Sequence, residues 1–245
     1  DDYPNVKIGS GAFAIDYISS DSNRPSVFTT SYTGSINVNK YIRLPSGHWT
    51  QNWRFFQQGY NIASSRRLDH PAWAGVAVSN NQLVVADGRL LVWNNPTGLT
   101  NGVAPNYYLG ASSFTEYPWP GYSDIKAANN KLWAVRAGAI EIYNLPITQS
   151  NQPPLKTIGS LTSLSSLPVL GGGTIPIDDS ENMIHGIQPS PDNNYLWISQ
   201  AGKHRVLRIR NPLTTPVVDV IIGQTNTTNI ACNRGQSSPS LHPLC

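Results

Sequence analysis

Charge is what this chain has least of. Asp, Glu, Lys and Arg make up 13% of its 245 residues, and the formal net charge is only +3. Lys and Arg form no run; the pair Arg66-Arg67 and the set Arg205, Arg208 and Arg210 are the only local concentrations. A nucleic-acid interface needs a dense basic patch, so that partner class is not supported, and the scattered arginines read as the solvent side of strands. No apolar run approaches the roughly 20 residues that cross a bilayer as a helix, so no membrane span is expected. No signal peptide is recognisable within the sequence, and a chain that opens on Asp1 is expected to be a processed product or a fragment.

Sulfur is almost as scarce, with one Met and two Cys. Both cysteines, Cys232 and Cys245, lie in the polar segment 224–245. Two cysteines close together in a loop suggest a local disulfide and an oxidising compartment, secreted or at the cell surface. Closing a loop of that size by a disulfide stabilises by about 3 kcal/mol through chain entropy. Structural zinc wants four ligands, which two cysteines do not supply.

Gly (20), Pro (19), Tyr (11) and Trp (7) are plentiful, and Asn, Ser and Thr are common. That mixture belongs to turn-rich β structure with a neutral polar surface. Its pattern repeats. Ala74 to Gly88, Ser123 to Gly138 and His185 to Gly202 each read as an apolar strand, an Asn-rich turn, a second apolar strand and a Gly. Each continues into a third strand that stops at a proline, namely Pro96, Pro146 and Pro212. An apolar residue followed by Gly marks a fourth strand at Leu109-Gly110, Ile158-Gly159 and Ile222-Gly223. Pro45 lies 51 residues before Pro96 and implies an earlier copy built on Ala12 to Ile18, Ser26 to Tyr32, Ile36 to Leu44 and Trp53 to Phe56.

Repeats of about fifty residues made of short strands imply small sheets stacked radially, an all-β propeller. The blades expected are 12–58, 73–110, 123–159 and 185–223, within a single propeller region spanning 1–245. The longer spacing before Pro212, 66 residues, places an insertion loop at 160–184, rich in Ser, Gly and Pro. The segment 224–245 reads as an inter-blade loop. Residues 4–9 resemble the outer strand at Pro105 to Gly110, so they read as the last strand of a preceding blade. An unpaired strand edge is a liability. The strand therefore belongs to the remainder of a larger ring, pairs with another copy of the chain, or lies on the outside of the last blade.

Two stretches carry a family resemblance. Gly75-Val76 followed by Val85-Ala86-Asp87, and Gly202-Lys203-His204-Arg205-Val206, resemble the repeats of NHL-type β-propellers of the secreted microbial kind. The likeness covers about 170 residues from Pro71 onward, and the copies diverge: Arg136 and Gln200 stand where the acidic residue of Val-Ala-Asp would be. The resemblance implies a ring that most often has six blades, so the four visible are expected to be part of a larger six- to eight-bladed ring. It also implies that His204 and Arg205 brace the turn between strands.

Candidate sites follow from the repeat. Some NHL-type enzymes, such as the amidating lyase, use a His at the start of a first strand as a zinc ligand, which singles out His185 as a metal candidate. A catalytic zinc wants three such ligands, and the aligned positions are Ala74 and Ser123. Asp16, Asp124 and the cluster Asp178, Asp179 and Glu181 are oxygen donors of the kind calcium takes. No cofactor is expected otherwise, and no catalytic triad or nucleophile elbow is readable. Trp49, Trp53, Tyr60 and Trp73 form an aromatic stretch suited to stacking on sugars or peptides. Trp133 and Trp197 occupy equivalent strand positions and read as packing between blades. Asn226-Thr227-Thr228 is an N-glycosylation sequon.

The expectation is a non-catalytic extracellular binding or assembly module that contacts protein or glycan through rim loops. The alternatives are a metal-dependent hydrolase or lyase with calcium or zinc in the propeller channel, and a structural subunit of an extracellular polymer.

Overall fold

The computed structural model describes residues 12–18, 26–32, 36–43, 46, 49–56, 75–86, 88–99, 103–116, 118, 121–136, 138–161, 165–177 and 184–228. The expected outer strand at 4–9 and both cysteines lie outside them. Among the described residues the regular elements are strands and two 3-10 turns, Pro96–Gly98 and Ala201–Lys203. No helix among them is long and apolar enough to cross a membrane.

Four antiparallel sheets of four strands follow one another along the chain. The first is β1 (Ala12–Ile18), β2 (Ser26–Tyr32), β3 (Ile36–Arg43) and β4 (Trp49–Phe56), in the order β1-β2-β3-β4. The second is β5 (Val76–Ser79), β6 (Gln82–Ala86), β7 (Leu90–Asn94) and β8 (Tyr107–Leu109). The third is β9 (Tyr122–Ala128), β10 (Lys131–Arg136), β11 (Ala139–Asn144) and β12 (Lys156–Ile158). A hairpin, β13 (Ser166–Pro168) and β14 (Thr174–Pro176), precedes the fourth sheet. That sheet is β15 (Ile184–Pro189), β16 (Tyr195–Gln200), β17 (Arg205–Arg210) and β18 (Val217–Ile222). Each sheet is a simple meander, the blade unit of a β-propeller, and the fold is all-β of that kind.

Local chemistry explains the meanders. In the second and third sheets the turn between the first two strands is Asn-Asn, with both residues at positive φ: 49° and 57° at Asn80-Asn81, 43° and 57° at Asn129-Asn130. Two successive left-handed residues make the tight turn whose twist matches paired strands, and Asn tolerates that region better than most side chains. The Gly after the fourth strand of the second, third and fourth sheets is left-handed as well, at φ 74° in Gly110, 88° in Gly159 and 93° in Gly223. There a side chain would be strained, which accounts for the recurring apolar-Gly pair.

The chain divides into two compact units, 1–125 with 145–152, and 126–144 with 153–245. The first has a core of Val76, Leu83, Val85, Leu91, Trp93 and Leu99, with Tyr108 and Phe114 packed against it. The Trp93 indole N–H is satisfied by Val103 O at 2.9 Å. Its second sheet is tied to the segment after β11: Asn151 N donates to Tyr108 O at 2.8 Å and Asn151 Nδ2 to Ala111 O at 2.7 Å.

The second unit is centred on Trp133, Ile140, Ile142, Leu196, Leu207 and Ile209, all at most 1% exposed. Fully burying side chains of this size stabilises by roughly 1.5–3 kcal/mol each. The segment 160–184, expected as a loop, folds partly as the β13–β14 hairpin, whose Leu167 and Ile175 enter this core along with Ile177. Val169 forms a parallel bridge to Val218, and Leu170 N donates to Val218 O at 2.8 Å. The hairpin therefore covers part of the edge of β18 that a four-stranded meander leaves open.

Candidate functional site

The two faces of the fourth sheet differ. Strands alternate their side chains with period two. In β16 this places Leu196, Ile198 and Gln200 inward, all buried, and Tyr195, Trp197 and Ser199 outward, all half-buried. β17 pairs in register, with Trp197 opposite Arg208 and Ser199 opposite Val206. β10 and β11 of the third sheet contrast with this, being buried on both faces from Leu132 to Val135 and from Ala139 to Tyr143.

Arg208 organises the outward face. Its Nε donates to Asp219 Oδ1 at 2.9 Å and its second terminal nitrogen to Asp219 Oδ2 at 3.0 Å. The guanidinium carbon lies 4.7 Å from the Tyr195 ring centroid and 5.5 Å from that of Trp197. A planar cation over aromatic faces is attracted by the ring quadrupoles, and the paired bonds match guanidinium to carboxylate geometry. The Asp219 carboxylate, through its hydrogen bonds, holds the Arg208 pKa above its ordinary value, so the cation is permanent. A register irregularity between Arg208 and Ile209 sets β18 so that Asp219 can reach Arg208. The Arg208 side chain is 30% exposed and that of Asp219 8%. Ile222, at the end of β18, is 46% exposed.

Two expectations are corrected here. Trp197 does not pack in the core as Trp133 does; it lies on the outward face under Arg208, a side that no second sheet covers among the described residues. Arg205 does not line the solvent side with Arg208 and Arg210. It has odd parity on β17, points inward and is 2% exposed. Its Nε donates to Gln200 Oε1 at 2.7 Å, and its terminal nitrogens donate to Thr227 O and Pro176 O, each at 2.9 Å. His204, left-handed at φ 49°, closes the turn by donating its backbone N–H to Ala201 O.

The other sequence candidates are placed as follows. His185 is the second residue of β15, at a register shift between Ile184 and Gly186. Asp16 lies in β1 opposite Phe28. Trp49 and Trp53 lie in β4 opposite Arg43 and Lys40; the strand starts four residues before the stretch read as its beginning. Asp124, in β9, accepts from Ile125 N at 2.9 Å. Tyr60, Trp73, Ala74, the acidic cluster 178–181, Cys232 and Cys245 are outside the described residues. Among the described residues no group of three or more His, Cys, Asp or Glu could hold a metal ion. Asn226 is exposed, in the loop after β18.

Four successive four-stranded meanders define the class of protein, a propeller-type all-β chain. No family model matches the chain, and no curated protein matches its sequence. Solved structures similar to it include the WD40 β-propeller domain of Doa1, with a TM-score of 0.48 and 11% identity, covering 86% of this chain and 54% of that one. The WD40 domain of coronin from Toxoplasma gondii gives 0.47 and 10%, covering 83% and 44%. Sqt1 from Chaetomium thermophilum gives 0.47 and 13%, covering 84% and 45%. The chain thus spans about half the length of these structures. The NHL-type likeness is one of repeat residues alone.

Proposed function

We propose that this chain is a non-catalytic binding or assembly module of an extracellular protein, secreted or at the cell surface, and that it contacts protein through the outward face of its fourth sheet. The observation that supports this is the grouping of Tyr195, Trp197 and Arg208 on one half-buried face, with Ile222 exposed beside it. Trp, Tyr and Arg are the residue types that dominate protein–protein binding energy. Arg208 lies over both rings, which favours a protein partner over a sugar that would need a bare aromatic platform. The third sheet shows what such faces bury against when covered: another apolar sheet of the same make. The partner proposed is a second copy of the chain, meeting this one through the same face of its fourth sheet.

The test is light scattering of the purified chain over a concentration series. Self-association in the wild type, weakened at least tenfold by Trp197→Ser or Arg208→Ser with unchanged circular dichroism, is the expected result. A mass of one chain at every concentration, or association indifferent to both substitutions, overturns it.

A further inference from the structure

The loop after β18 carries a chemical feature that sheet contacts do not use. Asn226-Thr227-Thr228 is the chain's only Asn-X-Ser/Thr sequence in which X is not Pro; the one at Asn95 has Pro96 in the middle. Asn226 and Thr228 are both exposed. Thr228 N donates to Asn226 Oδ1 at 3.0 Å, and the Thr228 hydroxyl donates to the same oxygen at 3.0 Å. The middle residue is anchored, its carbonyl accepting from buried Arg205 at 2.9 Å. The acceptor side chain therefore stands on the surface of a loop fixed from beneath.

We propose that Asn226 is an acceptor site for N-linked glycosylation, with a lipid-pyrophosphate-linked oligosaccharide as the donor class. In that transfer the Nδ2 nitrogen forms a bond to the anomeric carbon of the first sugar. The bond from that carbon to the pyrophosphate oxygen breaks, and the lipid pyrophosphate leaves with its electron pair. One Nδ2 proton passes to a base of the transferase, and nothing is oxidised or reduced. Donors on Oδ1 favour the step, because charge builds on that oxygen as the nitrogen gives up its proton. Thr228 supplies two of them, its backbone N–H and its hydroxyl, and only the second depends on the side chain. The attached glycan extends from an exposed atom, so it displaces no packed side chain.

This inference needs the chain to enter a secretory compartment, but not the sheet contact proposed above. The full chain is directed through the secretory route of cultured mammalian cells by a foreign signal sequence, and total product is analysed before and after peptide N-glycosidase. The wild type is expected to show a glycosidase-sensitive mobility shift mapped to Asn226 by mass spectrometry. Asn226→Gln and Thr228→Val should lose the shift, and Thr228→Ser, which keeps the hydroxyl, should retain it. A wild type left unmodified while a co-expressed reporter sequon is occupied overturns the proposal. So does a modification that survives Asn226→Gln.

Discussion

Gln82 and Ile147, 65 residues apart, are joined by two hydrogen bonds in opposite directions: Gln82 Nε2 donates to Ile147 O at 2.7 Å, and Ile147 N donates to Gln82 Oε1 at 2.7 Å. A side-chain amide here does what a strand backbone would do, pairing both backbone polar groups of one residue. Both residues are buried, at 3% and 1% exposure. Gln82 Nε2 also donates to Asn94 Oδ1 at 2.8 Å.

Gln82→Leu preserves volume but leaves the Ile147 N–H and C=O without these partners. Each buried polar group stranded in this way costs roughly 1–3 kcal/mol. The expected result is a loss of about 2–4 kcal/mol, measured as a lower urea midpoint. Gln82→Glu keeps the acceptor and loses the donor when ionised, so its loss should be present at neutral pH and smaller in acid. Equal stability of the wild type and Gln82→Leu would show that water replaces the amide.

Gly121 tests a second close approach. A Cβ at this position would lie 2.4 Å from Gly88 Cα and 2.9 Å from Gly88 O. Those are backbone atoms, and Gly88 pairs with Tyr122 through a β-bridge in which Tyr122 N donates to Gly88 O at 3.0 Å. Gly121→Ala must push the two segments apart, and overpacking of this kind costs about 1–3 kcal/mol. Hydrogen exchange should show the Tyr122 amide losing protection first. An exchange pattern identical to the wild type would mean that the backbone shifts without cost.

The turn before β16 supplies the pH dependence. Asp192 accepts from the Ser190 hydroxyl at 2.6 Å, from Asn194 N at 3.1 Å and from Asn194 Nδ2 at 2.7 Å. These bonds, led by that of Ser190, hold its carboxyl below the ordinary 3.8. A group with a depressed folded pKa contributes stability above its unfolded pKa and loses it as the pH falls through the folded one. Asp192 therefore stabilises the turn at neutral pH and stops doing so in acid, below about pH 4. Asp192→Asn should flatten that part of the stability–pH curve, and a carboxyl titration followed by NMR should show the lowered midpoint directly. A midpoint at or above 3.8 would remove the argument.

What the sequence disclosed and what it hid divide along physical lines. Asn80-Asn81, Asn129-Asn130 and the recurring apolar-Gly pairs report local backbone needs, so the strand order and the all-β class could be read directly. Trp197 could not be placed, because the burial of a strand face depends on whether another sheet covers it. Trp133 and Trp197 share a strand position, yet only Trp133 enters the core with the fourth sheet. The inward turn of Arg205 was legible from parity along β17, where Leu207 and Ile209 share its face, but charge argued for solvent. The β13–β14 hairpin was hidden by its Ser, Pro and Gly content, since strands of three residues give too short an alternation to recognise. The pairing of Gln82 with Ile147 leaves no periodic trace at all. The grouping of Tyr195, Trp197, Arg208 and Asp219 had a faint one: aromatics at alternate positions, opposite arginines at alternate positions.

Arg205 joins three segments that the sequence keeps apart. Its guanidinium holds Gln200 at the end of β16, Pro176 at the end of the hairpin and Thr227 in the loop after β18. Gln200 reinforces the hairpin side by donating its Nε2 to Ile177 O at 2.9 Å. A buried cation satisfied by fixed acceptors depends on direction as well as charge, and an ammonium cannot reach three acceptors in one plane. Arg205→Lys should therefore loosen both the hairpin and the loop even though the charge is kept. Hydrogen bonds to charged groups contribute about 1.5–3 kcal/mol each, so the loss should approach that of Arg205→Met and exceed that of Arg210→Met on the exposed side of the same strand. Hydrogen exchange should rise together at 165–177 and 224–228 and remain unchanged in the second sheet. A Lys variant as stable as the wild type would show that charge alone suffices, and exchange rising in only one of the two segments would show that Arg205 does not couple them.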